Sequence, residues 1–158
     1  MVTIGDAAPE LDVVEWFNTD RAPSMASERG KVIVVHAFQM LCPGCVLQGT
    51  PLAQRIHNHF AGADLTVIGL HTVFEHHAAM TPVSLAAYLH EFRITMPVAV
   101  DRPGDGPIPH TMAAYELRGT PTLILIDRNG RVRHHHFGTV DELTVGASIA
   151  RLLDEGAH

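Results

Sequence analysis

Residues 31–45, Lys31-Val32-Ile33-Val34-Val35-His36-Ala37-Phe38-Gln39-Met40-Leu41-Cys42-Pro43-Gly44-Cys45, decide the fold. The run from Val32 to Phe38 reads as a buried strand. Pro43-Gly44 is turn and helix-start chemistry, with proline suited to the first helical position. A C-x-x-C pair on a strand-to-helix junction sets the first sulfur at a helix N-terminus, where backbone N–H groups and the helix dipole stabilise a thiolate. The two sulfurs can close on each other, which makes a switch operated by exchange with a second disulfide or by a peroxide. Zinc is the weaker reading, because Cys42 and Cys45 are the only cysteines and a structural site needs a second ligand pair. Core filling is weaker still, since it leaves Pro43-Gly44 unexplained.

Composition fits one domain spanning 1–158. With 11 Lys+Arg against 17 Asp+Glu, the net charge of −6 argues against nucleic-acid or anionic-membrane partners, which need a basic face. No apolar stretch nears the ~20 residues of a membrane span. Asp6, Glu10, Asp12 and Glu15 follow Met1 too soon for a secretory leader, so the expected location is cytoplasmic, or periplasmic had a leader been trimmed.

Outward from the opening stretch, strands and helices alternate. A helix is expected from Pro43 to about Phe60, and a strand over 65–70. Thr81 and Pro82 open a second helix as N-cap and first residue, with Leu85, Leu89 and Phe92 as its apolar stripe. Residues 97–100 form a short strand, the breaker-rich 101–109 a loop, and 110–117 two helical turns. Strands over 122–126 and 132–137 flank Asp127-Arg128-Asn129-Gly130, a hairpin signal. Thr139-Val140-Asp141-Glu142 has capping-box spacing, and Val145, Ile149 and Leu152 share one face of a last helix. The expected class is α/β, a mixed central sheet with helices on both faces.

Tyr115-Glu116-Leu117-Arg118-Gly119-Thr120-Pro121-Thr122-Leu123, followed by Asn129-Gly130-Arg131-Val132, resembles the C-terminal half of thioredoxin. Ile4-Gly5-Asp6-Ala7-Ala8-Pro9 resembles the start of the TlpA-like and redoxin branch, which grades into the AhpC-TSA-like peroxiredoxins. That branch carries an extra strand-helix piece before the cis-proline, matched here by 65–100. The resemblance implies a thiol–disulfide oxidoreductase with Cys42 attacking and Cys45 resolving. It also implies a cis Thr120–Pro121 bond facing the dithiol, with the Thr120 backbone pairing an incoming substrate chain. A protein disulfide substrate and an upstream thiol reductant are the implied partners, with no cofactor. The oligomeric state stays open.

Departures from the family pattern are equally informative. His36 stands where thioredoxin has a buried aspartate, and is either a proton relay for Cys45 or a histidine bonded within the sheet. Gln48 replaces the titratable glutamate of some relatives, Leu41 replaces the usual tryptophan, and Pro51 falls one residue later than the usual kink proline. His71 and Glu75, at the end of the second strand, either approach Cys42 or form a solvated loop. His57 and His59 are expected on a helix surface. Alternation sends His135 to the face opposite His134 and His136, a poor arrangement for three ligands on one metal, and no metal site is assigned.

Two other functions remain. A thiol peroxidase of peroxiredoxin type follows a P-x-x-x-T-x-x-C pattern, and here Val35 and Gln39 hold the Pro and Thr places. A copper-binding thioredoxin-fold module would use both thiolates, but its relatives space them one residue wider. With Pro43-Gly44 adding no positive charge, a reducing or middling couple is expected within the ~−270 to ~−120 mV range of such proteins.

Overall fold

The computed structural model describes residues 2–156. Its centre is β2 (Val32–Phe38), every residue of which is buried. A strand covered on both faces reads as a continuous apolar run, which is why no alternation marks it in the sequence. β3 (Leu65–His71) and β4 (Val98–Asp101) extend the sheet in parallel from one side of β2. β5 (Thr122–Ile126) and β6 (Val132–Phe137) extend it antiparallel from the other. With β1 (Val13–Phe17) against β4, the order is β1-β4-β3-β2-β5-β6.

Alternation along β2 feeds two cores. Val32, Val34 and Phe38 face a layer made by α1 (Thr50–His59), α2 (Pro82–Glu91) and α4 (Glu142–Asp154), through Leu52, Ile56, Leu85, Leu89, Val145 and Ile149. Ile33, Val35 and Ala37 face Met25, Met112 and Tyr115, the covering supplied by the N-terminal segment and α3 (His110–Ala114). Helices thus cover both faces, three on one and the short α3 on the other. The expected extra piece is β3 and α2, whose N-cap Thr81 accepts the Ser84 N–H at 3.2 Å, with Pro82 in the first turn.

Four expectations need correction. β1 was not foreseen: it is an edge strand with a bulge between Val13 and Glu15. Phe92 leaves the apolar stripe of α2; it is its C-cap, 60% exposed, against the Tyr88 ring. The cap of α4 is Asp141, not Thr139; its carboxylate accepts from both the Thr144 N–H and hydroxyl. α3 stops at Ala114, because Glu116 adopts a positive φ of 50° and the Leu117 N–H turns back to the Met112 carbonyl.

Topology then assembles one end of the sheet. Phe38 pairs with His71 and His71 with Val100, so the loops after β2, β3 and β4 emerge together. Ala37 pairs antiparallel with Thr122, which brings the Gly119-Thr120-Pro121 turn to the same end.

Candidate functional site

The helix after β2 begins at Pro43 and immediately widens into a π turn over Cys45–Gly49, where the Thr50 N–H reaches the Cys45 carbonyl, before α1 continues. Cys42 sits at the start of this helix and is partly exposed, while Cys45 is fully buried. The Cys45 backbone N–H points at the Cys42 sulfur at 3.4 Å, as an N-cap side chain is satisfied three residues on. The Cys42 thiol donates to the Thr120 carbonyl at 3.5 Å. Burial, then the neighbouring Cys42 thiol, push the Cys45 thiol up to about 12.

Thr120–Pro121 is a cis peptide, and Pro121 is buried against the helix start. A Cβ on Gly44 would lie 3.2 Å from Pro121 Cδ, and one on Gly49 would lie 2.9 Å from Pro121 Cβ and 2.8 Å from His36 Cε1. Both glycines therefore face the proline. In a regular α-helix residues five apart differ by about 140° in direction; the π turn brings them to one side. Gly49→Ala is expected to lose about 1–3 kcal/mol by overpacking, and Gly44→Ala distinctly less. Urea unfolding of the two variants measures this, and equal midpoints would remove Gly49 from the contact.

His36 is buried, stacks on Phe38 with ring centroids 5.1 Å apart, and places Nε2 2.9 Å from the Thr50 hydroxyl. Desolvation lowers its pKa to about 3, so the ring is neutral. Tyr88 belongs to the same core, and burial raises the pKa of its phenol. Thr50, Gly49 and Tyr88 escaped sequence reasoning; a glycine directly before Thr50-Pro51 inside a helical stretch was the one available signal.

The near-site residues fall one step behind Cys42. His71 Nε2 accepts the Met40 N–H at 3.1 Å, and desolvation lowers its pKa to about 4. Gln39 is buried; its side chain accepts the Phe74 N–H and donates to Glu75 Oε1, each at 3.2 Å, while its carbonyl takes the Cys42 N–H at 3.1 Å. His71 thus braces the Met40 backbone, and Glu75 the Gln39 side chain, in the segment that leads to Cys42. Gln48 donates to the Val140 carbonyl at 3.1 Å, tying the helix to the loop before α4. Leu41, beside Cys42, is 54% exposed. The rings of His134 and His136 stack 5.8 Å apart on one face of β6.

The AhpC/TSA family model matches residues 4–135. The chain belongs to the AhpC/TSA family. Within the thioredoxin-like fold that this AhpC/TSA chain adopts, a thioredoxin-like superfamily protein of known structure is 60% identical, covering 96% of this chain and 99% of its own at TM-score 0.94. A thiol-disulfide isomerase from Corynebacterium glutamicum is 50% identical, covering 94% of this chain and 97% of its own at TM-score 0.88. The protein DipZ of Mycobacterium bovis is 28% identical over 151 residues, 94% of this chain but 21% of DipZ. The AhpC/TSA chain thus spans about a fifth of the length of the curated relatives it matches. Among the described residues no helix is long and apolar enough to cross a membrane.

Proposed function

We propose that this chain reduces disulfides in partner proteins, with Cys42 as nucleophile and Cys45 as resolving thiol. The reading rests on the asymmetry of the pair: a partly exposed Cys42 sulfur receiving the Cys45 N–H at 3.4 Å, above a fully buried Cys45 that holds its proton. The Cys42 thiolate attacks one sulfur of the substrate disulfide; that S–S bond breaks, and the first substrate sulfur leaves and takes up a proton. Cys45 then gives up its proton and attacks the Cys42 sulfur. The second substrate sulfur leaves with that proton, and two electrons have passed from the dithiol to the substrate. An upstream thiol reductant restores Cys42 and Cys45.

Thr120, whose carbonyl meets Cys42, is the backbone against which an extended substrate segment would pair, and Leu41 gives the lip an apolar surface. His36 acts as a positioning residue: neutral and engaged with Thr50, it fixes the helix turn beneath Cys45 and does not hold the proton itself. A peroxidase reading lacks support at the two positions it requires. Val35 packs on the opposite face of the sheet, and the Gln39 amide is taken up by Phe74 and Glu75.

Cys45→Ser is expected to accumulate mixed disulfides with cellular proteins, released by dithiothreitol, while Cys42→Ser accumulates none. Capture by Cys42→Ser instead, or by neither variant, would refute the assignment. Insulin reduction by the parent chain should exceed peroxide consumption on the same sample.

A further inference from the structure

The dithiol end of the sheet also carries, among the described residues, a cation without a counter-ion. Arg118 is exposed and stands two residues before Thr120, whose carbonyl meets the Cys42 sulfur. Its guanidinium carbon lies over the Phe137 ring, 5.3 Å from the centroid. Phe137 in turn is seated against the turn that ends in the cis bond: a Cβ on Gly119 would come within 2.9 Å of that ring. The ring therefore holds the guanidinium beside the Gly119-Thr120 backbone. An open hollow of about 540 Å³ lies at this point, with Ile4, Phe137 and Arg118 on its walls.

Charge singles this residue out. The chain has a net charge of −6, a field that repels acidic partners in general. Arg102, the other arginine at the loop end of the sheet, is committed to Asp12 at 2.6 Å, and Arg55 on α1 is paired with Glu142. Arg118 makes no ion pair among the described residues, although Glu116 shares the hollow. Stacking on an aromatic ring occupies the flat of a guanidinium and leaves its N–H donors, at the edge of the plane, for a planar acceptor such as a carboxylate. What reaches it follows from strand geometry. An extended segment paired along the Thr120 backbone rises about 3.3 Å per residue, so positions up to about three residues from the attacked cysteine pass within reach of this arginine.

We propose that Arg118 selects protein substrates with an aspartate or glutamate within about three residues of the attacked cysteine, its guanidinium taking that carboxylate as the segment docks. This preference rests on the disulfide-reducing reading of Cys42 and Cys45, which it narrows to a class of substrate.

The test uses the reduced full chain and symmetric peptide disulfides whose single cysteine stands in a glycine-serine background. One series carries a lone glutamate at each place from three before to three after the cysteine, and the other carries glutamine at the same places. Thiol release is followed by stopped flow, and each rate is divided by that of the same peptide with dithiothreitol, which removes the effect of the glutamate on the disulfide itself. At one place or more the parent chain should favour glutamate about fivefold, the upper range for an exposed charge pair, and added salt should shrink the ratio. Arg118→Gln should bring the ratio to about one, and Arg118→Lys should keep part of it, since an ammonium retains the charge without the planar fork. An arginine that merely covers Phe137 would leave the ratio unmoved on substitution. Equal rates for the two series at every place in the parent, or a preference that survives Arg118→Gln, would overturn the proposal. Should Arg118→Gln not fold, a glutamate preference that both Arg118→Lys and salt leave intact overturns it equally. Failure of the parent to reduce either series would remove the dithiol reading and this preference with it, whereas equal reduction of both removes only the preference.

Discussion

Iodoacetamide at pH 7 is expected to alkylate Cys42 and leave Cys45 unmodified over the same period. Alkylation requires a thiolate that the reagent can reach, and Cys45 offers neither. With its pKa pushed up to about 12 by burial and by Cys42, only about one Cys45 in 10⁵ is ionised at pH 7, against about 3% for an ordinary cysteine of pKa about 8.5. That difference alone is roughly three orders of magnitude in rate, before the full burial of the side chain is counted. Cys42 meets the reagent at the partly exposed start of the helix. Peptide mass spectrometry after a short pulse reads the ratio directly. Comparable labelling of the two cysteines would mean that the buried position opens on the timescale of the reaction, and the division of labour between them would fall.

Lowering the pH from 7 to 5 is expected to cost about 4 kcal/mol of stability, about 2 from each of His36 and His71. Both are buried, and desolvation puts their folded pKa values at about 3 and about 4, below the ordinary histidine value of about 6.5. The unfolded chain therefore takes up protons first as the pH falls. Their contribution is complete above about pH 6.5 and drains away toward pH 4 and below, at about 1.4 kcal/mol per unit for each ring. His134 and His135, lowered as well but only partly buried, act in the same direction more weakly. Asp101, raised by burial, acts in the opposite direction and softens the acid end. Guanidinium unfolding at pH 7, 6 and 5 measures the slope. A loss this size is a large share of the 5–15 kcal/mol typical of a domain, so an unchanged midpoint would show that the two rings are not held neutral inside the fold.

What the sequence made legible was local. The strand from Val32 to Phe38, the C-x-x-C turn and Gly119-Thr120-Pro121 each carry their signal within a few adjacent residues. What it hid depends on partners far along the chain. β1 is five residues with mixed burial, a strand only because β4 pairs with it some 85 residues later. At the start of α4 the capping-box spacing points to Thr139, yet the cap falls to Asp141 because its carboxylate reaches two groups of Thr144. The end of α3 is set by a glutamate in a left-handed conformation that usually belongs to glycine, so nothing local announces it. In the site, the cysteines and the proline were readable, whereas the Thr50 hydroxyl under His36 was not. Nor did the sequence tell that His71 would hold the Met40 backbone N–H and Glu75 the Gln39 side chain.

The π turn between Cys45 and Gly49 also records how this helix tolerates changes in length. One residue added to an α-helix swings everything after it by about 100°, which would carry Leu52, Ala53 and Ile56 off the core. A single wide turn absorbs the extra residue where it occurs and hands the helix on unrotated. Length variation among related chains should therefore gather at this turn, the one stretch of the helix where a residue can come or go while the dithiol above and the apolar face below keep their bearings.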